Sequence, residues 1–127
     1  MATIRREAEL AIDADRAWAA LRNFGGAAQL FAGVLTDCRR SGDTRTVTFA
    51  NGLVVTERLV TLDDASRRVV YSVLDGPFSL HSASMQIAPR DGGSTFVWIS
   101  DFLPDEAAAS VAPLVEAGCA AIRRNLG

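Results

Sequence analysis

The sequence contains no lysine: apart from the single histidine, His81, its thirteen basic residues are all arginine. Catalysis through a lysine Schiff base is therefore excluded. Cysteine is almost as scarce. Cys38 and Cys119 lie far apart, form no CxxC pair, and with one histidine supply no zinc-ligand set. They read as buried small hydrophobes or idle thiols, so no disulfide and no metal is expected. There is no HExxH, no G-x-G-x-x-G running from a strand into a helix and no P-loop, and no cofactor is expected. The serines of HSAS lack a G-x-S-x-G elbow. No apolar run approaches the length needed to cross a bilayer, so membrane insertion is not expected. MATIRREAEL carries charges with no apolar segment behind them, and a cytoplasmic location is the default expectation. The basic residues cluster only as pairs (Arg5–Arg6, Arg39–Arg40, Arg67–Arg68, Arg123–Arg124) in a chain of net charge -2. Without aromatics interleaved among basic residues, nucleic acid is not expected as a partner.

What is present is apolar and patterned. Of 127 residues, 49% are hydrophobic and 22% charged, enough for one core without metal or disulfide support. A single domain over 1–127 is expected. Residues 3–12 alternate, with Ile4, Arg6, Ala8, Leu10 and Ile12 on one face and Arg5, Glu7 and Glu9 on the other, which is a half-solvated strand. In DADRAWAALRNF, Asp13 can cap a helix whose buried stripe holds Trp18 and Leu21, with Ala17 and Phe24 as further members. Gly25–Gly26 stops it, and AAQLFAG gives a second short helix ending near Gly33. The period then changes to two. Six extended segments follow, separated by turns rich in Gly, Pro, Asn, Asp and Ser, so the strands are antiparallel. The segment near 107–125 returns to helical spacing through Val111, Leu114, Val115, Gly118, Ala121 and Ile122. Pro113 should kink this helix or move its start downstream. Seven antiparallel strands with one long amphipathic helix to cover them predict an α+β fold with a concave, mostly apolar pocket between sheet and helix.

This order, with AWAALRNF after the first strand, GLVVTERLVTLDDASRRVVYSV across the central hairpin, GGSTFVWISDFLP in the last strand and Gly118 in the last helix, resembles the helix-grip superfamily. That superfamily holds the START and birch-pollen-allergen-like proteins. Within it the chain is most similar to the bacterial polyketide cyclase/dehydrase-like lipid-transport (SRPBCC) group, over essentially its whole length. The resemblance implies a curved seven-stranded antiparallel sheet wrapped around a long C-terminal helix, two short helices after the first strand, and hydrophobic ligands held in between. The ERL and LDD segments are also similar to plant abscisic-acid receptors. That likeness implies a cavity-facing Glu57, which would hold the polar end of a ligand through water, and a cavity aromatic at Tyr71. The receptors' cavity lysine has no counterpart here and their proline-bearing gate loop is not matched around Gly52, so hormone binding is not implied.

The candidate site residues follow from parity. Val55, Glu57 and Leu59 share a strand face. If that face is the interior, Glu57 needs a partner, a water or a purpose. It either salt-bridges an arginine, faces water or meets a ligand. Tyr71 shares a face with Val69 and Val73, and His81 with Ala83, Met85 and Ile87. Trp98 goes with Phe96, Ser100 and Phe102; for each of these residues ordinary core packing competes with a place on the pocket wall. Phe24, Leu30 and Phe31 on the short helices are lid candidates, and Met85 is an adaptable wall. The expected ligand-binding set is thus Glu57, Tyr71, His81, Trp98, Met85, Val55, Phe24 and Phe31, and its ligand a small hydrophobic or amphipathic molecule. One alternative is a cyclase or dehydrase using Glu57 or His81 for proton transfer. Another is a non-enzymatic packing or interaction domain with a filled interior. Val97 and Ile99 fall on the face opposite Trp98, where they serve either a homodimer interface or ordinary strand propensity.

Overall fold

Period-two alternation decides which segments pair. In the computed structural model, which describes residues 1–127, strand β1 (Ala2–Leu10) is followed by helices α1 (Ala14–Leu21) and α2 (Ala27–Leu30). Six strands succeed them: β2 (Leu35–Ser41), β3 (Thr44–Phe49), β4 (Val54–Asp63), β5 (Arg68–Val73), β6 (Leu80–Arg90) and β7 (Gly93–Leu103). Helix α3 (Ala108–Leu126) closes the chain. All seven strands form one antiparallel sheet in the order β1-β7-β6-β5-β4-β3-β2. The protein therefore has the α+β helix-grip architecture, a curved sheet wrapped around a long C-terminal helix.

Strands β1 and β2 are consecutive in the chain yet occupy opposite edges of the sheet. The connection between them must cross the sheet, and it does so as α1 and α2. Asp13 caps α1 by accepting from the Arg16 amide at 2.9 Å, a bond that satisfies one orphan N–H of the first turn. Ala14, Ala17, Trp18 and Leu21 turn inward. The indole N–H of Trp18 donates to Asp64 at 2.8 Å, and Arg22 reaches the same carboxylate at 2.9 Å, tying α1 to the β4–β5 turn. Phe24 is not part of the α1 stripe: the helix ends at Leu21, and Phe24 opens a separate 3-10 turn over Phe24–Gly26, with 1% of its surface exposed.

The core lies between the concave sheet face and the helices. Leu10, Ile87, Phe96, Phe102, Ala121 and Ile122 are each at most 1% exposed. Strand β6 shows why parity was informative, since His81, Ala83, Met85 and Ile87 are buried and Ser82 and Ala88 are exposed. On β4 the alternation is interrupted by a bulge between Leu59 and Thr61, which leaves Val60 59% exposed.

Pro113 does not set the start of the last helix. Helix α3 begins at Ala108, upstream of the proline, after a 3-10 turn over Asp105–Ala107. Pro113 is exposed, so its ring lies on the solvent side, and the helix continues past the one amide donor it lacks. On the buried side α3 packs against β1. Near its middle, Gly118 meets Trp98 of β7, and a Cβ built on Gly118 would lie 2.5 Å from Trp98 Cζ3. This absence of a side chain lets helix and indole touch. Gly118→Ala should therefore displace the indole and destabilise the protein by about 1–3 kcal/mol in urea denaturation. Unchanged stability would mean that the helix does not rest on Trp98.

Candidate functional site

The gap between α3 and the sheet is a cavity of about 190 Å³. Its wall is mainly apolar: Val47, Phe49, Val55, Val73 and Met85 come from the sheet, Phe31 from the segment after α2, and Val111, Leu114 and Val115 from α3. Set into this wall is a small polar group consisting of Arg45, Glu57, Tyr71, His81, Trp98 and Ser100. Of the residues singled out from sequence, Val55, Glu57, Tyr71, His81, Met85, Trp98 and Phe31 line the cavity. Phe24 and Leu30 do not. Both are buried behind the wall: Leu30 ends α2 in the core, and Phe31, the residue after it, faces the cavity.

Glu57 has an arginine partner. Register places Arg45 of β3 directly opposite it, and Arg45 Nε donates to Glu57 Oε1 at 2.8 Å. Both residues are buried, at 8% and 7% exposure. A guanidinium and a carboxylate taken out of water are tolerated only when their remaining atoms are also matched. Arg45 Nη1 donates to the Phe24 carbonyl at 3.0 Å, and the guanidinium lies over the Phe24 ring, 4.0 Å from its centroid. Phe24 is thus the platform of the ion pair. Desolvation raises the Glu57 pKa above the usual carboxylate range; the charge of Arg45 and its hydrogen bond pull it back, and the charge of Asp75 adds to the rise.

On the other side of Arg45, Tyr71 lies with its ring 5.3 Å from the guanidinium carbon, and the His81 ring is 5.9 Å beyond it. Phe78, from the β5–β6 connection, flanks His81 at 4.8 Å. Both imidazole nitrogens are engaged. Nδ1 accepts from the Val73 amide at 3.0 Å, so the ring proton is on Nε2, which faces Ser100 Oγ at 3.3 Å. Burial pushes the His81 pKa down to about 4, with the charge of Asp101 opposing. A second proton could go only onto Nδ1, against the Val73 N–H. His81 is therefore a neutral hydrogen-bonded strut, poorly placed to act as a base.

Tyr71 and Trp98 complete the polar part of the wall. Burial drives the Tyr71 pKa upward, so the phenol stays protonated. The indole Nε1 of Trp98 is buried with no partner within hydrogen-bond distance. An orphan donor of this kind costs about 1–3 kcal/mol. The other tryptophan, Trp18, has its N–H satisfied by Asp64.

Sequence reasoning named neither Arg45 nor Phe78. The Arg45 signal was in the β3–β4 turn, since counting outward equally from Asn51 pairs 45 with 57. For Phe78 it was an aromatic inside the turn DGPF. The cysteines lie outside the polar group, and burial raises the Cys119 pKa to about 11, away from thiolate chemistry. No group of three or more His, Cys, Asp or Glu side chains is placed to hold a metal ion, and no helix is long and apolar enough to cross a membrane.

A family model described as polyketide cyclase / dehydrase and lipid transport matches residues 1–127. The chain belongs to this family. Among solved structures, a protein from Bacillus thuringiensis superposes with a TM-score of 0.89 at 19% identity, covering 98% of each chain. One from Thermobifida fusca, at 29% identity, gives 0.75 and covers 99% of this chain and 90% of its own. Norcoclaurine synthase from Thalictrum flavum, in complex with dopamine and hydroxybenzaldehyde, gives 0.74 at 20% identity, covering 97% and 84%. No curated protein matches the sequence.

For this polyketide cyclase/dehydrase and lipid-transport family member, two predictions follow from the polar group. Arg45→Met and Glu57→Gln should each cost about 3–5 kcal/mol, since each leaves a buried partner unmatched. The double variant should lose clearly less than their sum, by about 2 kcal/mol or more in urea denaturation. Additive losses would mean the pair is not coupled. The His81 pKa is lower folded than the ordinary 6.5, so its stabilising contribution is complete above about pH 6.5 and is lost as pH falls towards 4. Wild type minus His81→Asn, which keeps an acceptor for the Val73 amide but cannot titrate, should show a loss on the order of 2 kcal/mol over that window. A flat difference would remove the neutral strut.

Proposed function

We propose that this protein binds a small hydrophobic or amphipathic molecule in the cavity between the sheet and α3, with Glu57 and Tyr71 on its polar side. The observation that carries this reading is the cavity itself: about 190 Å³ remain where a packing domain would be filled, and apolar side chains dominate its lining. Close-packed interiors seldom leave such a volume without use. The family is associated with small hydrophobic and amphipathic ligands, which agrees with the lining. Norcoclaurine synthase, which shares the fold, holds two aromatic compounds in its crystal structure, so the architecture accommodates rings.

Catalysis is the second reading. It is favoured by one observation, a carboxyl of raised pKa on a cavity wall, which suits proton transfer in a cyclisation or dehydration. Two others weigh against it. Arg45 holds one oxygen of Glu57, and the bonds to Val73 and Ser100 occupy His81. Binding is therefore ranked first.

Native mass spectrometry of the protein purified from its own host asks for the ligand without guessing its class. The expected outcome is a discrete small-molecule adduct on the folded chain that is lost from a Leu114→Trp variant, in which an indole fills the cavity. A bare polypeptide mass in the wild type would overturn the binding reading.

A further inference from the structure

We propose that the open half of the Arg45–Glu57 fork is a binding site for the edge of an uncharged amide, so that the cavity takes an apolar molecule carrying a primary carboxamide or a lactam. This rests on the reading that the cavity binds a ligand, and names the chemistry of that ligand.

A guanidinium and a carboxylate can join through two parallel hydrogen bonds, one on each oxygen. Arg22 does so on the surface, with Nε donating to one oxygen of Asp64 and Nη2 to the other. Arg45 makes half of such a fork: Nε donates to Glu57 Oε1, and Nη1 is taken by the Phe24 carbonyl. Nη2 and Glu57 Oε2 are left without a protein partner. Neither atom is sealed in, because the one buried side-chain nitrogen or oxygen that lacks a partner is Trp98 Nε1. Both residues are otherwise buried and both line the cavity, so these two atoms meet it. Nη2 shares the guanidinium edge with Nε, which sets its hydrogens beside the Glu57 carboxylate. One donor and one acceptor thus stand side by side on an apolar wall. Such a pair is tolerated inside a protein only when its remaining atoms are matched.

A primary amide or a lactam supplies the complement on one edge: its carbonyl oxygen accepts from Nη2 and its N–H donates to Oε2. An ordinary trans secondary amide cannot, since its N–H and C=O point to opposite sides. A ketone offers an acceptor alone and an ammonium donors alone, so each leaves one atom of the fork unmatched. A carboxylate has no donor and would be the third negative group, after Glu57 and Asp75, around a single guanidinium. No lysine exists to compensate it.

Five probes on one ring separate these contributions: cyclohexanecarboxamide, its N,N-dimethyl derivative, cyclohexyl methyl ketone, cyclohexylmethanol and cyclohexanecarboxylate, titrated near pH 7 into the intact protein by calorimetry. An amide costs more than a ketone to take out of water, so an apolar cavity with no polar partner would favour the ketone. The primary amide should instead bind about tenfold or more tighter than the ketone, the worth of a hydrogen bond to a charged group. The dimethyl amide should bind no better than the ketone, and the carboxylate about tenfold or more weaker than the primary amide. Arg45→Lys, which keeps a charge opposite Glu57 but has no fork, should cancel the advantage of the primary amide. The probe series is read in the wild type, so a folding failure of Arg45→Lys leaves it decisive. If the ketone, the dimethyl amide, the alcohol or the carboxylate binds as tightly as the primary amide, or if its advantage survives Arg45→Lys, the amide site is wrong while cavity binding stands. If none of the five binds, or if binding persists in Leu114→Trp, the cavity reading fails and the amide site with it.

Discussion

One helix has to cover seven strands. A helix with its side chains is about 10 Å across, whereas seven strands at their usual spacing span about 29 Å. Helix α3 therefore shields a stripe of the concave face, and it takes the side next to β1. Helices α1 and α2 cover further ground because the chain must cross from one sheet edge to the other before β2 can begin. Between the far flank of α3 and the inner faces of β3 to β7 a space is left unfilled, lined on the helix side by Val111, Leu114 and Val115. The cavity is a consequence of this mismatch in width, and Gly118, by letting α3 settle onto the Trp98 ring, fixes how deep it is.

The cavity wall also carries a charge pair. Arg45 and Glu57 sit on neighbouring strands facing the cavity, both buried, and each is the other's charge partner. Their stability still depends on Phe24, which supplies a carbonyl and a ring face from outside the sheet. The 3-10 turn that holds Phe24 is thus more than a stop between α1 and α2. It is a bracket that lets two adjacent strands carry opposite charges inward.

The fold was legible because it is written in periods. Alternation on β1 and β6, turn residues between strands and the helical spacing from Val111 to Ile122 each depend on local neighbours, and the matching elements appear in the structure. Of the two effects expected of Pro113, the later helix start is not seen, because the turns upstream of it, from Ala108, are helical despite the missing donor. The cavity wall was legible where parity governs, as for Glu57, Tyr71, His81, Met85 and Trp98, and not where a loop or short helix decides. Phe24 and Phe31 look alike in sequence, yet one supports the wall and the other is the wall. Arg45 was hidden for a different reason: the partner of Glu57 is set by register across a turn, and no spacing within β4 carries it.

Satisfaction of hydrogen bonds is the level at which sequence reading ends. A histidine and a carboxylate lining one cavity invite a catalytic interpretation, but the Val73 amide settles the tautomer and leaves His81 without a free lone pair. A tryptophan in an apolar strand invites a packing interpretation, but its N–H is the atom left unmatched. The residues with the more reactive chemistry, Arg45, Glu57 and His81, hold one another and the backbone in place. Trp98, on the same wall, keeps the one buried side-chain polar atom that the fold leaves unmatched.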